Sequence, residues 1–114
     1  MREQGVVSNN IYAVDGFLVA RVDKEDTELP YDILLHSLGK EGEMGDHPRV
    51  GVVVGEKVIP VSISDNPEVL SMDTLPQESV IFEWIGHYYK ALRLHWDGII
   101  DDLEVLVAVS KPVS

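Results

Sequence analysis

Residues 76–96 read PQESVIFEWIGHYYKALRLHW and hold both tryptophans of the 114-residue chain. How this stretch folds decides the architecture. Advancing about 100° per residue from Val80, every apolar residue as far as Trp96 except Leu94 falls within an arc of roughly 200°. Glu83, Gly86, His87, Lys90 and Arg93 occupy the opposite arc. A strand template fits in part, because Phe82, Trp84, Tyr88, Leu92, Leu94 and Trp96 share one parity, but Gly86 and Lys90 interrupt it. The run is also far longer than the ~5–6 residues of a typical strand. Its ends carry helix chemistry. Thr74 and Gln77 have the spacing of a capping box, Pro76 suits a first turn, and Glu78 suits the positive end of the helix dipole. Lys90, Arg93 and His95 lie towards the negative end, and Gly98 is placed for a left-handed cap. The stretch predicts one long amphipathic helix over about 75–97.

Working outward, Asp65 or Asn66 before Pro67-Glu68 has the form of a helix start and predicts a short helix over NPEVLSM. Upstream of it, Arg49 to Ile63 reads as a hairpin turning at Gly55-Glu56, a composition suited to a type II′ turn. Pro60 cannot donate to a ladder and marks the second arm as an edge or a bulge. The first arm, VGVVV, is apolar or small on both faces, as in a strand buried on both sides. Tyr31–Leu38 (YDILLHSL) fits a short helix or a strand, and strand is preferred because a short helix gains little by itself. Ile11–Val22 (IYAVDGFLVARV) reads as a first hairpin turning at Asp15-Gly16, the competing reading being one long strand bulged at Gly16. DKEDTELP, residues 23–30, and the glycine-rich GKEGEMGDHPRVG, residues 39–51, are loops. The second lacks the Lys-Ser/Thr ending of a phosphate-binding loop and carries Glu41, Glu43 and Asp46. Residues 1–10 form a loosely attached lead-in. After Gly98, LEVLVAV at 103–109 has apolar residues of both parities and predicts a closing central strand. The sum is one α+β domain over 1–114: a mainly antiparallel sheet packed against one long amphipathic helix, with a C-terminal central strand.

Nine basic against twenty acidic residues give a net charge of −11. Such a surface repels phosphate backbones and argues against direct nucleic-acid binding. There is no cysteine, so disulfides, thiolate catalysis and cysteine-based zinc sites are excluded together. No apolar run approaches the ~18–20 residues that span a membrane. The N-terminal MREQGVVSNN lacks the apolar core of a signal peptide, which predicts cytoplasmic residence.

Glu83 and His87 stand four apart on one helix face. They would hold a metal only if His36, His47 or His95 supplied further ligands, and no known ligand spacing is present, so neither metal nor cofactor is expected. His95, beside Trp96 and Asp97, is placed to line a pocket at the helix end. Trp84, Tyr88 and Trp96, with Phe82 and Tyr89, anchor a core, yet their arc is wider than a small sheet covers and leaves aromatic area for a partner. Trp84, Tyr88, His95 and Trp96 are therefore the candidate binding residues. Nucleophilic catalysis finds no footing: there is no Gly-x-Ser-x-Gly, and the neighbours His36 and Ser37 point to opposite faces of a strand. Asp101, Asp102 and Glu104 lack the spacing of a calcium loop.

These features favour binding over catalysis. They suit a small acidic protein-binding module, engaging a protein partner or a second copy, in the manner of a stoichiometric inhibitor of the immunity or phage anti-defence type. One alternative is a small-molecule binder or small enzyme with a pocket between helix and sheet, using Tyr88, His95 or the loop around His47. Another is a nucleic-acid charge mimic, with the acidic clusters Asp23–Glu28, Glu41–Asp46 and Asp101–Glu104 on one surface.

Overall fold

The computed structural model describes residues 11–14, 17–36 and 48–113. Strands β1 (Ile11–Val14), β2 (Phe17–Val22), β3 (Asp32–His36), β4 (Arg49–Val54) and β5 (Lys57–Ser62) form one antiparallel sheet in sequence order. A single turn, α1 (Lys24–Thr27), joins β2 to β3, and helices α2 (Glu78–His87), α3 (Tyr89–Trp96) and α4 (Asp102–Val109) complete the chain. The class is α+β.

Both hairpins form where turn chemistry places them. Val14 pairs with Phe17, so two residues join β1 to β2; Asp15 and Gly16 themselves lie outside the described residues. Val54 pairs with Lys57, Gly55 has φ +63°, and Glu56 has no positive φ, which is the type II′ pattern. Of the stretch 31–38, Asp32–His36 form β3, a strand, and 37–38 lie outside the described residues.

The registers align two apolar rows on one face: Val22, Ile33, Val52 and Ile59, and beside them Ala20, Leu35, Val50 and Val61. All eight are buried. The opposite face carries Arg21, Leu34, Gly51 and Pro60 in one row. Against the first face pack Leu75, Ile81, Trp84, Ile85, Leu92, Trp96, Val105 and Val109, making one continuous core. A buried side chain of this size contributes roughly 1.5–3 kcal/mol.

Three expectations are corrected. First, the long helix is broken at Tyr88, whose backbone (φ −104°, ψ 20°) leaves helical geometry. Tertiary contacts hold the break. The Tyr88 hydroxyl donates towards the carbonyls of Lys111 and Pro112 at 3.3 Å each, and its ring meets Trp84 edge-on at 5.7 Å. The capping box foreseen at Thr74 and Gln77 is also absent: Gln77 precedes α2 in a left-handed conformation with no side-chain cap. The entry is set instead by buried Leu75 and by the Tyr31 hydroxyl donating to the Pro76 carbonyl at 2.9 Å.

Second, NPEVLSM forms no helix. Val69 bridges Val61; Ser62 N–H donates to Glu68 O and Leu70 N–H to Pro60 O, both at 2.9 Å. This short ribbon covers the outer edge of β5. Since Pro60 O faces the ribbon, the missing Pro60 donor falls on the edge side, and the ladder to β4 is intact.

Third, LEVLVAV is helix α4, not a central strand. Asp101 Oδ1 accepts the Glu104 N–H at 2.8 Å and Glu104 Oε1 accepts the Asp101 N–H at 3.1 Å, a complete capping box. Upstream, Gly98 (φ +78°) ends α3 as expected, with Ile99 N–H on Leu94 O and Gly98 N–H on His95 O, a Schellman pair. Termination and restart within a few residues leave 102–109 helical, and an apolar run of that length does not itself distinguish helix from strand.

At the β2–β3 corner, Asp32 accepts Arg21 Nε at 3.0 Å and the Lys24 N–H at 2.7 Å. Burial alone would raise the Asp32 carboxyl, but those two donors and the nearby cations outweigh it and hold it below its ordinary value. A depressed carboxyl stabilises the fold above its unfolded pKa of about 3.9 and loses that contribution as pH falls through the folded value. The stability gap between wild type and Asp32→Asn, measured by urea unfolding, should hold steady from about pH 7 to 5 and shrink below about pH 4. A gap unchanged in acid contradicts this assignment. Gln77 (φ 59°) should favour glycine: Gln77→Gly is expected to raise stability by about 0.5–1 kcal/mol, and Gly98→Ala to lower it by about 1 kcal/mol, in thermal melts.

Candidate functional site, the α3–α4 hairpin

Helices α3 and α4 form an antiparallel pair held at both ends. At one end His95 Nε2, on α3, lies 2.6 Å from Asp102 Oδ1, on α4. At the other the Tyr88 hydroxyl meets the chain just beyond α4. Between these struts Val105 and Val109 enter the core. His95 is 2% exposed, so it sits in the apolar arc, as its helical position implied, and is satisfied by a carboxylate brought from the next helix. Asp102 is thus half of a buried pair, and Asp101 and Glu104 form a cap. The acidic cluster is accounted for by local structure.

The other candidates are placed as follows. Trp84 is fully buried and Trp96 nearly so; Arg49 lies over the Trp96 ring, its guanidinium carbon 5.3 Å from the centroid. Among the described residues the buried Trp84 indole N–H has no hydrogen-bond partner, a penalty of about 1–3 kcal/mol that the burial of the ring must exceed. The surplus aromatic surface expected at Trp84 and Trp96 is therefore core. The buried stripe is narrower than the apolar arc: Ile81, Trp84 and Ile85 of α2 and Leu92, His95 and Trp96 of α3 are buried, while Val80 at one margin is exposed and Phe82 and Tyr89 at the other are half-buried. Tyr88 is half-buried at the break.

Glu83 and His87 are both exposed, and among the described residues no three His, Asp or Glu side chains converge on a metal position. His47 and the acidic cluster 41–46 lie outside the described residues, as does Ser37. An open depression on the outer side of the break is lined by Gly86 to Ala91, and another by Tyr89, Lys90, Arg93, Leu94 and Asp97. Both lie on helical surface; a third, of about 160 Å³, lies between the β2–β3 corner, α2 and the chain beyond α4, lined by Thr27, Leu29, Val80, Glu83, Pro112 and Val113. Among the described residues no helix is long and apolar enough to cross a membrane.

What the sequence reading missed is the outer side of α4. Ile99, Leu103 and Val107 are 67%, 70% and 72% exposed, and Leu94, joined to Ile99 through the Schellman turn, is exposed beside them. The signal was present: LEVLVAV is apolar at every helical angle except Glu104, and a helix apolar all round has a second face to cover.

Asp102→Ala should destabilise the fold by about 1–3 kcal/mol, because it strands a buried imidazole. Glu83→Ala and His87→Ala should each stay within about 0.5 kcal/mol. Chemical denaturation measures all three, and equal losses contradict the division between strut and wet face.

Compared with known proteins, the chain matches no family model, and no curated protein or solved structure shows significant similarity to it.

Proposed function

We propose that the chain is a small acidic protein-binding module whose contact surface is the outer face of α4, extended by Leu94 and Ile99. One observation carries the reading. Within a single helix of eight residues, Val105 and Val109 are fully buried while Leu103 and Val107 are mostly exposed. Apolar groups on adjacent outer turns lose about 25 cal/mol for each Å² left in water, so a contiguous ridge of them is a standing drive towards association. The helix that carries it is also tied at both ends. The capping box, the His95–Asp102 pair and the Tyr88 contacts fix α4 before any partner arrives, which lowers the ordering penalty of binding. The net charge of −11 favours partners that are basic around an apolar centre and disfavours nucleic acid. A stoichiometric inhibitor is one form such a module takes.

The test compares wild type with Leu103→Lys/Val107→Lys. Both substitutions are on the exposed side, so melting should shift by no more than about 2–4 °C. Immobilised wild type should retain a protein, another or its own kind, that the double variant does not. Identical retention by both chains overturns the reading.

A further inference from the structure

We infer that the cavity between the β2–β3 corner, α2 and the chain beyond α4 receives a lysine side chain of a partner protein. It involves neither Leu103 nor Val107, so it does not rest on the outer face of α4. Three separate parts of the fold build its walls: Thr27, Glu28 and Leu29 at the corner, Val80 and Glu83 one turn apart on α2, and Val113 beyond α4. The third wall is held in place. The Tyr88 hydroxyl donates to the carbonyls of Lys111 and Pro112, and Val113 packs against the core. The cavity therefore stands ready before anything enters it.

Charge and shape select the occupant. Leu29, Val80 and Val113 give an apolar lining, and Glu28 and Glu83 put a carboxylate on two of the walls. Among the described residues neither carboxylate is engaged by a hydrogen bond or an ion pair; Lys24 and Lys111, close to the first and third walls in sequence, pair with neither. Thr27 adds an acceptor. It is 3% exposed, and the Leu29 N–H, at 3.2 Å, uses one of the two acceptor positions of its hydroxyl oxygen. The other is open among the described residues. An apolar lining with acceptors around it matches an aliphatic stem that ends in a cation.

Volume sets the length of that stem. The cavity holds about 160 Å³, and about 150 Å³ suffices for a benzene molecule, so four methylenes and an ammonium fit. A compact ammonium also suits two separate carboxylates, whereas the planar fork of a guanidinium matches a single one. A metal ion lacks ligands, since no three described His, Asp or Glu side chains converge. Both carboxylates are exposed, so each contact is weak and one lysine binds with a Kd on the order of 10 mM. Such a site orients a basic partner more than it holds one.

NMR titration of the full chain with n-butylammonium chloride, the lysine side chain without its backbone, tests this against matched sodium chloride. Saturable shifts should gather at Thr27, Leu29, Val80 and Val113, half-complete on the order of 10 mM. Glu28→Gln and Glu83→Gln should each weaken binding about 2- to 5-fold and together about 5- to 20-fold. Both side chains are exposed, so the melting temperature should not move. Ethylammonium, two methylenes shorter, should bind about 3- to 10-fold more weakly. Equal binding of the two amines reduces the effect to surface charge and overturns the cavity. The capped peptide acetyl-Gly-Lys-Gly-amide should shift the same residues; butylammonium binding without peptide binding overturns the lysine in favour of a free amine. Shifts that never saturate, or that survive in the double glutamine variant, overturn the site altogether. Leu103→Lys/Val107→Lys should still bind butylammonium, which separates this site from the α4 face.

Discussion

The eight-residue apolar surface on one side of the meander is the constraint on which the rest depends. Val22, Ile33, Val52 and Ile59, with Ala20, Leu35, Val50 and Val61, are dry only if something broad and apolar lies across them. The aromatic segment, α2 and α3, supplies it. Trp84 sits fully buried even though its N–H finds no partner among the described residues, which shows how strongly ring burial dominates here. Only the middle of the apolar arc is covered: Val80 at one margin is exposed, and Phe82 and Tyr89 at the other are half-buried.

Covering the sheet in this way determines where polar chemistry and unused apolar surface end up. His95 enters the core with the α3 stripe and needs a partner there, and Asp102 provides one from α4. That pair, the capping box and the Tyr88 hydroxyl hold α4 in place, with half of its apolar surface turned inwards. The other half has nothing in the described chain to cover it. That uncovered half is the surface the proposed binding function uses, and the groups that most resembled a catalytic or metal-binding set, Glu83, His87, His95 and the 101–104 carboxylates, are exposed or occupied in local structure.

Much of the fold was legible in the sequence. Asp15-Gly16 and Gly55-Glu56 mark both hairpins, Gly98 marks the end of α3, and the apolar periodicity from Val80 marks helix. The sequence reading failed where tertiary contacts decide. The break at Tyr88 depends on carbonyls at 111–112, more than twenty residues away, and no local signal announces it. Pro67-Glu68 has the form of a helix start, but hydrogen bonds to Pro60 and Ser62 draw the segment to the sheet edge. For LEVLVAV the local signal existed, because Asp101 and Glu104 have capping-box spacing. Apolar residues of both parities suit a central strand equally well, and with the helix unread the outer face of α4 goes unread too. Of the candidate binding residues, His95 lies within the hairpin and Tyr88 at its end, while Trp84 and Trp96 belong to the core beneath.

The central claim is that the chain meets other protein through the outer face of α4 and not through its aromatic residues. Amide and indole NMR spectra of the chain, recorded with and without the protein it retains, measure this directly, residue by residue. Shifts on binding should gather at Leu94, Ile99, Leu103 and Val107, with the Trp84 and Trp96 indole signals unmoved. Shifts centred on His87, Lys90 and Arg93 would contradict it.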